Sequence, residues 1–317
     1  MRVNFVSSII LAHAVTTTLG ATYQRTSQLA GQSFLDAFSF QAISDPTNGR
    51  VTYVSESTAE ADGLVSVANG KLTLRADHTT TLSSSGSGRK SFRIQSNSQY
   101  ETHVAIFDIE HMPQGCGTWP AICEVGADWP NEGEVDIVEG VNDQTPNKCS
   151  LHTSSDCTMP SSGSMTGTVD GTDCYAYDNS NAGCGVKMND NKSYGPQFNN
   201  NGGGWYAIER SSSYIKIFFW ERTSGSVPSD IKSPGSSINT SNWGTPAAYF
   251  PDTYCDFSTH FGAHNIIINL TFCGDWAGSS SVYAASGCPS TCVDYVNNNP
   301  SAFSNAYFEF NSLNIYE

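Results

Sequence analysis

Glu134-Val135-Asp136-Ile137-Val138-Glu139 is the stretch of this 317-residue chain that decides its fold class and its candidate site. Val and Ile favour a strand, and the side chains of a strand point alternately to its two faces, so that Glu134 and Asp136 share one face. Strict alternation would send Glu139, five residues after Glu134, to the other face. One extra residue in the strand, a β-bulge, would return it. The stretch therefore predicts a bulged strand with three carboxyl groups on one face of a sheet.

Three acids on one face suit a particular chemistry, although two simpler interpretations exist. Crowded carboxylates raise at least one pKa, and a retaining glycosidase needs a nucleophilic carboxylate and a protonated carboxyl group about 5–5.5 Å apart. A solvated strand face is the ordinary alternative. A calcium site is another, but calcium loops do not resemble a stiff β-branched run. Trp119, Pro120 and Trp129 precede the stretch, and aromatic rings beside polar groups are typical of ligand clefts, here a sugar-binding one.

Residues 1–20 have the features of a secretory signal peptide. Arg2 gives the positive start, residues 6–15 are broadly apolar, and Leu19-Gly20-Ala21 offers small residues for cleavage. A membrane anchor is the alternative, but the apolar stretch is too short to span a bilayer and contains polar residues. We therefore expect a secreted, extracellular protein.

The net charge and the composition restrict the partners. Lys and Arg total 15 against 30 Asp and Glu, which gives a formal net charge of −15. This excess of negative charge disfavours nucleic acids and anionic membranes as partners, and a sulfated polysaccharide would want a groove lined by Arg and Lys. A neutral polymer fits the composition. No motif demands a metal ion or another cofactor, and we expect none.

Ten cysteines follow the predicted signal, in a chain bound for an oxidising compartment. Cys288 and Cys292 are close in sequence, but no histidine pair or second close cysteine pair completes a zinc site. We expect disulfides, whose pairing cannot be deduced from the sequence. Asn-x-Ser/Thr sequons begin at Asn191, Asn239 and Asn269. The first two lie in polar stretches and are predicted glycosylation sites, whereas Asn269 lies in an apolar run and is predicted to be buried.

Short apolar or alternating runs separated by polar turns recur along the chain, and no strong helix signal follows the leader. The runs are 50–55, 63–66, 71–75, 91–95, 100–109, 118–124, 134–139, 149–153, 205–210, 214–221, 264–272 and 306–316. Many short strands of this kind are typical of an all-β sandwich or barrel. Trp205 and Trp220 lie within such runs and are predicted core residues. No shift in composition marks an internal boundary, so we expect a single domain over 21–317.

Five blocks of residues together carry a resemblance to a known family. They are Gly117-Thr118-Trp119-Pro120-Ala121, the stretch 134–139, Leu151-His152-Thr153, Gly202-Gly203-Gly204-Trp205-Tyr206-Ala207 and residues 269–278. In this order they resemble glycoside hydrolase family 16, and within it the fungal secreted laminarinases, the endo-β-1,3(4)-glucanases, over essentially all of 21–317. The resemblance implies a jelly-roll β-sandwich of two curved antiparallel sheets, with an open cleft on the concave face that accepts a β-glucan polysaccharide in mid-chain. We expect a monomer.

The resemblance also implies roles for four residues. Glu134 would be the nucleophile, and Glu139 the general acid and then the general base. Asp136, between them, would hydrogen-bond the nucleophile and tune its protonation. The charges of Glu134 and Asp136 would raise the pKa of Glu139, which has to stay protonated. His152 falls where family members place a histidine near the catalytic acids; an ordinary strand histidine is the alternative.

Three tryptophans and one arginine are candidates for substrate binding. Trp276 matches a tryptophan that stacks on sugar at the cleavage site, Trp129 matches one further along the donor side, and Trp119 belongs to the first block; core packing is the alternative. Arg93 lies on a polar strand face, in contact with substrate or with solvent. Cys123 stands where the family pattern Trp-Pro-Ala-x-Trp has a cleft tryptophan, and the loss of one stacking platform would cost ~1–3 kcal/mol of substrate binding. The Cys123 thiol would be either disulfide-bonded or free.

Three functions are compatible with these observations. The leading hypothesis is an endo-acting retaining hydrolase of β-1,3-glucan, with mixed-linkage β-1,3/1,4-glucan as a further substrate. The second is a β-glucan-binding module that has lost catalysis, although all the expected acids are present. The third is a transglycosylase, in which a sugar hydroxyl replaces water in the second step.

Overall fold

Short strands joined by polar loops make up the architecture, as the alternating runs predict. The computed structural model describes residues 21–317, and the predicted signal peptide lies outside the described residues. The strands are β1 (Thr22–Leu29), β2 (Phe38–Phe40), β3 (Val51–Tyr53), β4 (Val65–Ala68), β5 (Lys71–Arg75), β6 (Arg89–Ser91), β7 (Arg93–Tyr100), β8 (His103–His111), β9 (Thr118–Gly126), β10 (Glu134–Glu139), β11 (Lys148–His152), β12 (Thr168–Val169), β13 (Cys184–Lys187), β14 (Gly204–Arg210), β15 (Tyr214–Glu221), β16 (Ser237–Asn239), β17 (Ala248–Pro251), β18 (His264–Phe272) and β19 (Tyr307–Tyr316).

The helices are short and lie in the connections between strands. They are α1 (Gln32–Asp36), α2 (Glu56–Ala61), α3 (Gly195–Asn200), α4 (Ser229–Lys232), α5 (Phe257–His260), α6 (Gly274–Ala277), α7 (Ser280–Ala285) and α8 (Cys292–Asn298), with 3₁₀ turns at Asn191–Ser193, Thr240–Asn242, Asp252–Tyr254 and Pro300–Phe303. Within residues 21–317, no helix has the length and apolar character needed to cross a membrane.

Two antiparallel sheets pack face to face. The eight-stranded sheet has the order β12-β13-β11-β10-β9-β18-β7-β2. The nine-stranded sheet follows the path β16-β1-β19-β8-β14-β15-β17, with β5 beside β19 and β4 beside β5. A separate parallel pair joins β3 to β6. The predicted all-β sandwich is confirmed, and β10 lies in the interior of its own sheet, between β9 and β11.

The main hydrophobic core lies between the two sheets and shows the strand periodicity directly. β18 contributes every second residue, beginning with Ile266 and Ile268, and β10 contributes Val135, Ile137 and Val138. Burial of an apolar side chain of this size contributes ~1.5–3 kcal/mol, so that the residues facing inward fix which side chains are left on the outer face of each strand.

A second core covers the other face of the nine-stranded sheet. Trp205 and Trp220 are buried there, together with Phe218 and Trp243. The Phe218 and Trp220 rings are nearly parallel with centroids 5.5 Å apart. Apolar side chains from residues 227–243, between β15 and β17, pack over this face of the sheet. The prediction of Trp205 and Trp220 as core residues is confirmed.

The cysteines form four disulfides, which pair Cys116 with Cys288, Cys157 with Cys255, Cys174 with Cys184 and Cys273 with Cys292. The expectation of disulfides is wrong for Cys149, whose side chain points into the core of the sandwich. Cys123 is also a free, buried thiol. In register it faces Asp136 on β10 and Ile267 on β18, so no cysteine lies opposite it. Of the sequon asparagines, Asn269 is buried as predicted.

Candidate active site

The bulge predicted in β10 is present. Asp136 lies opposite Cys123 of β9, but Val138, two residues further along, lies opposite Ile122, the very next residue of β9. The register therefore shifts by one between Asp136 and Val138, and Ile137 is the extra residue.

The bulge decides which side chains leave the core. Ile137 and Val138 are consecutive in sequence, yet both are fully buried in the main core. Glu139 consequently returns to the face that Glu134 and Asp136 share. We call the outer face of the eight-stranded sheet that carries these three acids the cleft face.

Asn147 satisfies the backbone groups that the bulge leaves without strand partners. Its Nδ2 donates to the carbonyl of Ile137 at 2.9 Å, and its Oδ1 accepts from the backbone N–H of Glu139 at 2.9 Å. Asn147 is fully buried, and its own N–H donates to Ser193 Oγ at 2.9 Å. An unsatisfied buried group would cost ~1–3 kcal/mol, so this side chain stabilises the bulge. Sequence reasoning missed Asn147, because a single asparagine in a polar stretch carries no signal of its partners.

Two tryptophans hold the outer carboxyl groups of the acidic stretch. Trp129 Nε1 donates to Glu134 Oε2 at 2.7 Å, and Trp119 Nε1 donates to Glu139 Oε1 at 2.8 Å. Each carboxyl group keeps one oxygen outside these bonds. Both glutamates are half-buried. The structure thus brings together four of the predicted site residues as two indole–carboxyl pairs.

His152 lies beside the central acid of the site. β11 places it directly opposite Glu134, and its Nε2 lies 3.1 Å from Asp136 Oδ2. Its Nδ1 lies 2.9 Å from Asn181 Oδ1. Both ring nitrogens thus face oxygen acceptors, which favours the doubly protonated imidazolium.

The protonation of the site follows from burial and from Asp136. Burial and the charge of Asp136 raise the pKa of Glu134 to about 7 and that of Glu139 to about 8. Burial alone would lower the pKa of His152, but its hydrogen bond to Asp136 and the neighbouring carboxylates raise it to about 9. The charge of His152 in turn opposes the rise at both glutamates. Of the two glutamates, Glu139 is therefore the one that retains its proton to the higher pH.

Asp136 is buried, and its hydrogen-bond partner is His152 rather than Glu134. One oxygen each of Glu134 and Asp136 and the Cys123 Sγ lie within 4.8 Å of one another. Within residues 21–317 this is the one grouping of three side chains close enough to hold a metal ion. Burial and the charge of Glu134 raise the pKa of the Cys123 thiol well above its ordinary value, so a cation there would have to displace the thiol proton. The chemistry predicted for the acids needs no such ion.

Aromatic side chains extend from both ends of the acidic stretch. Trp129 is 37% exposed and meets the ring of Tyr177, which is 69% exposed, edge to face at 5.9 Å. Tyr175 meets Tyr177 in the same way at 5.7 Å. At the other end, Trp119 and Trp276 are perpendicular with centroids 5.5 Å apart. Sequence reasoning missed both tyrosines, whose one signal is their position in a polar loop shortly after Cys174.

Arg93 lies on the cleft face in a pocket next to Trp129. The pocket has a volume of about 380 Å³ and is lined by Arg93, Gln95, Val125, Gly126, Ala127, Trp129, Asn265 and Ile267. The Arg93 Nε donates to Gln41 Oε1 at 2.9 Å. The pocket combines an indole with amide and guanidinium groups, which is the composition expected of a polar ligand site. Substrate contact by Arg93 stays a prediction.

A two-sheet sandwich whose outer face presents paired carboxyl groups between indole rings defines the class of β-sandwich glycoside hydrolases. Residues 38–316 match the family described as the XgeA-like, catalytic GH16 domain. The chain belongs to glycoside hydrolase family 16, and the resemblance carried by its sequence blocks is confirmed.

Three known proteins show how close the similarity is. A probable endo-1,3(4)-β-glucanase of Neosartorya fischeri is 44% identical over 321 residues, which cover 98% of this chain and 48% of that protein. The chain thus spans about half the length of this relative. The structure of laminarinase 16A from Phanerochaete chrysosporium, with 6-O-glucosyl-laminaritriose in its donor and acceptor sites, is 57% identical, with a TM-score of 0.93 over 94% of this chain and 100% of that one. An elongating family 16 β-1,3-glucosyltransferase is 43% identical, with a TM-score of 0.86 over 93% and 100%. These structures confirm the jelly-roll fold.

Proposed function

We propose that this chain is an endo-acting retaining hydrolase of β-1,3-glucan that also cleaves mixed-linkage β-1,3/1,4-glucan. The observation that carries the proposal is the bulge at Ile137, which places Glu134 and Glu139 on one face with Asp136 between them. The similarity to laminarinase 16A, which holds β-glucans in both its donor and its acceptor sites, supports the substrate class. The similarity to endo-1,3(4)-β-glucanases supports the breadth of linkage.

The first chemical step uses the two glutamates as an opposed pair. The carboxylate of Glu134 attacks the anomeric carbon, and Glu139 donates its proton to the glycosidic oxygen, so that the bond to the leaving sugar breaks as the bond to Glu134 forms. Trp129 holds Glu134 Oε2, which leaves Oε1 for the attack, and Trp119 holds Glu139 Oε1, which leaves Oε2 to carry the proton.

The second step reverses the role of Glu139. Now ionised, it accepts a proton from water while the water oxygen attacks the anomeric carbon and releases Glu134. Asp136 and His152 act through charge. Asp136 raises the pKa of Glu139, and His152 limits that rise. The balance keeps Glu139 protonated for the first step without preventing its ionisation in the second.

The first test is reducing-sugar release from laminarin and lichenan by the wild type, Glu134→Gln and Glu60→Gln. Glu60 is exposed on α2 and serves as the control for a lost surface carboxylate. We expect release by the wild type and Glu60→Gln and a loss of roughly 10⁴-fold or more in Glu134→Gln. Full activity of Glu134→Gln would overturn the assignment of the nucleophile. Binding of laminarin without release by the wild type would instead indicate a β-glucan-binding module.

Transglycosylation is the second candidate activity, favoured by the 43% identity to an elongating β-1,3-glucosyltransferase. In that reaction a sugar hydroxyl, rather than water, gives its proton to Glu139 and attacks the glycosyl-enzyme. Mass spectrometry of the products of laminarihexaose at high concentration distinguishes the two reactions. Products longer than the substrate indicate transfer, and shorter products alone indicate hydrolysis.

We further propose that residues 21–317 act as one catalytic domain, secreted after removal of residues 1–20, and that the domain is a monomer. The main core shared by the two sheets supports a single domain. The disulfides support an oxidising compartment. Expression in a secreting host, with N-terminal sequencing of the product in the medium, tests the cleavage, and light scattering of the purified product tests the oligomeric state.

A further inference from the structure

A short disulfide-closed loop that ends at the start of β13 contacts the charged network of the site. Cys174 and Cys184 are bonded to each other with a sequence separation of 10, and they close residues 174–184, which we call the disulfide loop. Both cysteines are fully buried, so they anchor the loop to the body of the sandwich. Between them the loop carries Tyr177, which meets Trp129, and Asn181, which meets His152.

The backbone of the disulfide loop directs Asn181 toward His152. Asn181 has a left-handed conformation, with φ of 58°, which asparagine tolerates better than most residues. Its N–H donates to the carbonyl of Asp178 at 2.9 Å. Gly183, with φ of +62°, packs against the ring of His152, where an added Cβ would lie 2.8 Å from the His152 Cε1. The loop therefore holds His152 by one contact on its ring and one hydrogen bond to its Nδ1.

The hydrogen bond defines what Asn181 can do. Its Oδ1 only accepts, so that the His152 Nδ1 carries a proton. On the opposite side of the ring Nε2 faces Asp136 Oδ2, and an ionised carboxylate also only accepts. The charged groups that face His152 are Asp136, Glu134 and Glu139, all of β10. The charge of Arg93 also acts on Glu134, where it lowers the pKa. The amide of Asn181 adds a neutral acceptor at the His152 Nδ1.

We propose that Asn181 is a positioning residue that fixes His152 as a doubly donating imidazolium against Asp136. The inference rests on the proposed function, because its purpose is to balance the charge around Glu134 and Glu139. The same loop presents Tyr177 to Trp129, whose indole holds Glu134. Residues 174–184 thus contact the network at two points, one through the aromatic wall and one through the histidine.

The experiment compares three variants of the loop. Asn181→Gly removes the amide and relieves the left-handed backbone, and Asn181→Asp keeps the shape and adds a charge. Asn179→Gly is the matched control, because Asn179 is also left-handed, with φ of 49°, is exposed, and makes no side-chain hydrogen bond to His152. The pKa of His152 is measured by NMR titration of the ring, with the resonance assigned by its loss in His152→Gln.

We expect the pKa of His152 to fall by roughly one pH unit in Asn181→Gly, because the charged ring loses an acceptor, and to rise in Asn181→Asp. Asn179→Gly should leave it unchanged. A fall also weakens the charge that opposes the raised pKa values of Glu134 and Glu139. Both limbs of the pH profile of kcat/KM on laminarin should therefore move to higher pH in Asn181→Gly.

An unchanged pKa of His152 in Asn181→Gly would overturn the proposal, as would equal shifts in Asn181→Gly and Asn179→Gly, which would indicate loosening of the loop in general. The titration does not depend on turnover. If the wild type failed to hydrolyse laminarin, the proposed function would fail, and the NMR result would still decide the role of Asn181.

Discussion

Strands β9 and β10 carry two acidic sites on opposite faces, and the two sites differ in their partners. Glu124, on the inner face, is fully buried, with its carboxylate 2.8 Å from His103 Nε2 and 3.8 Å from Arg210 Nη1. Glu134 and Glu139, on the cleft face, are only half-buried and accept hydrogen bonds from neutral indoles.

The direction of the pKa shift of these glutamates depends on the charge of their partners rather than on how deeply they are buried. Burial alone would raise the pKa of Glu124, but the charges of His103 and Arg210 lower it below the ordinary value. The glutamates of the cleft face are more accessible, yet their pKa values are raised, because burial and Asp136 are not offset by a directly bonded cation. A carboxyl group paired directly with a cation stays ionised and stabilises the fold. A carboxyl group without such a partner has a raised pKa, which suits proton transfer near neutral pH.

The sharpest test of this contrast is Glu134→Gln, measured for stability as well as activity. The folded state favours the protonated form of Glu134, since its pKa is raised above 4.5, and so the carboxylate weakens folding at neutral pH. A neutral amide removes that cost. We expect activity to fall roughly 10⁴-fold or more, while the midpoint of thermal unfolding at pH 7 stays equal or rises. A lower midpoint would show that Glu134 also serves the fold.

The opposite result is expected for Glu124→Gln. The change leaves Arg210 buried without its counter-charge, which should cost ~3–5 kcal/mol of unfolding free energy, measured by urea denaturation. The activity of the folded fraction should stay within about twofold of the wild type, because the side chain faces away from the cleft.

The pH dependence of this loss has a definite sign. The folded-state pKa of Glu124 is depressed below the ordinary 4.5, so its contribution is fully present above pH 4.5 and is lost as the pH falls through the folded-state value. The difference in stability between the wild type and Glu124→Gln should therefore shrink in acid. A constant difference from neutral pH down to acid would contradict the ionic interpretation.

Cys123 precedes Glu124 in β9, and its side chain points to the cleft face. A substitution at Cys123 therefore tests the opposite face of the same strand. Cys123→Trp supplies the stacking platform that the family pattern has at this position. We expect substrate binding to gain ~1–3 kcal/mol, seen as a lower KM for laminarin. Cys123→Ser is the control for loss of the thiol and should leave KM unchanged. An unchanged KM in the tryptophan variant would mean that no sugar ring lies over this position.

The smallest effect is expected at the aromatic wall. Tyr177→Ala removes an exposed ring that meets Trp129, and a single stacking contact contributes ~1 kcal/mol at the lower end of such platforms. KM for laminarin should rise about fivefold with kcat preserved, a factor that corresponds to this energy. Tyr177→Phe keeps the ring and should behave as the wild type. A fall in kcat instead would place Tyr177 in the chemical step.

The sequence alone predicts the strand β10, its bulge and the face of its acids, because these depend on neighbouring residues and on a period of two. It also predicts Trp205 and Trp220 as core residues. Asn147 and Asn181 could not be predicted, since each acts on a partner that only the folded chain brings near. The number of cysteines indicates an oxidising compartment and so predicts a disulfide for Cys149. A disulfide also requires a second cysteine within bonding distance in the folded chain, and Cys149 has none.

The bulge at Ile137 also makes the alignment of the acids depend on correct folding of the strand. If β10 paired without the bulge, strict alternation would send Val138 to the cleft face and the Glu139 carboxyl group into the core. Both changes weaken folding, and a less stable chain is more exposed to degradation. Chains whose acids are out of register would thus be lost as misfolded protein rather than persist as folded protein with a misaligned site.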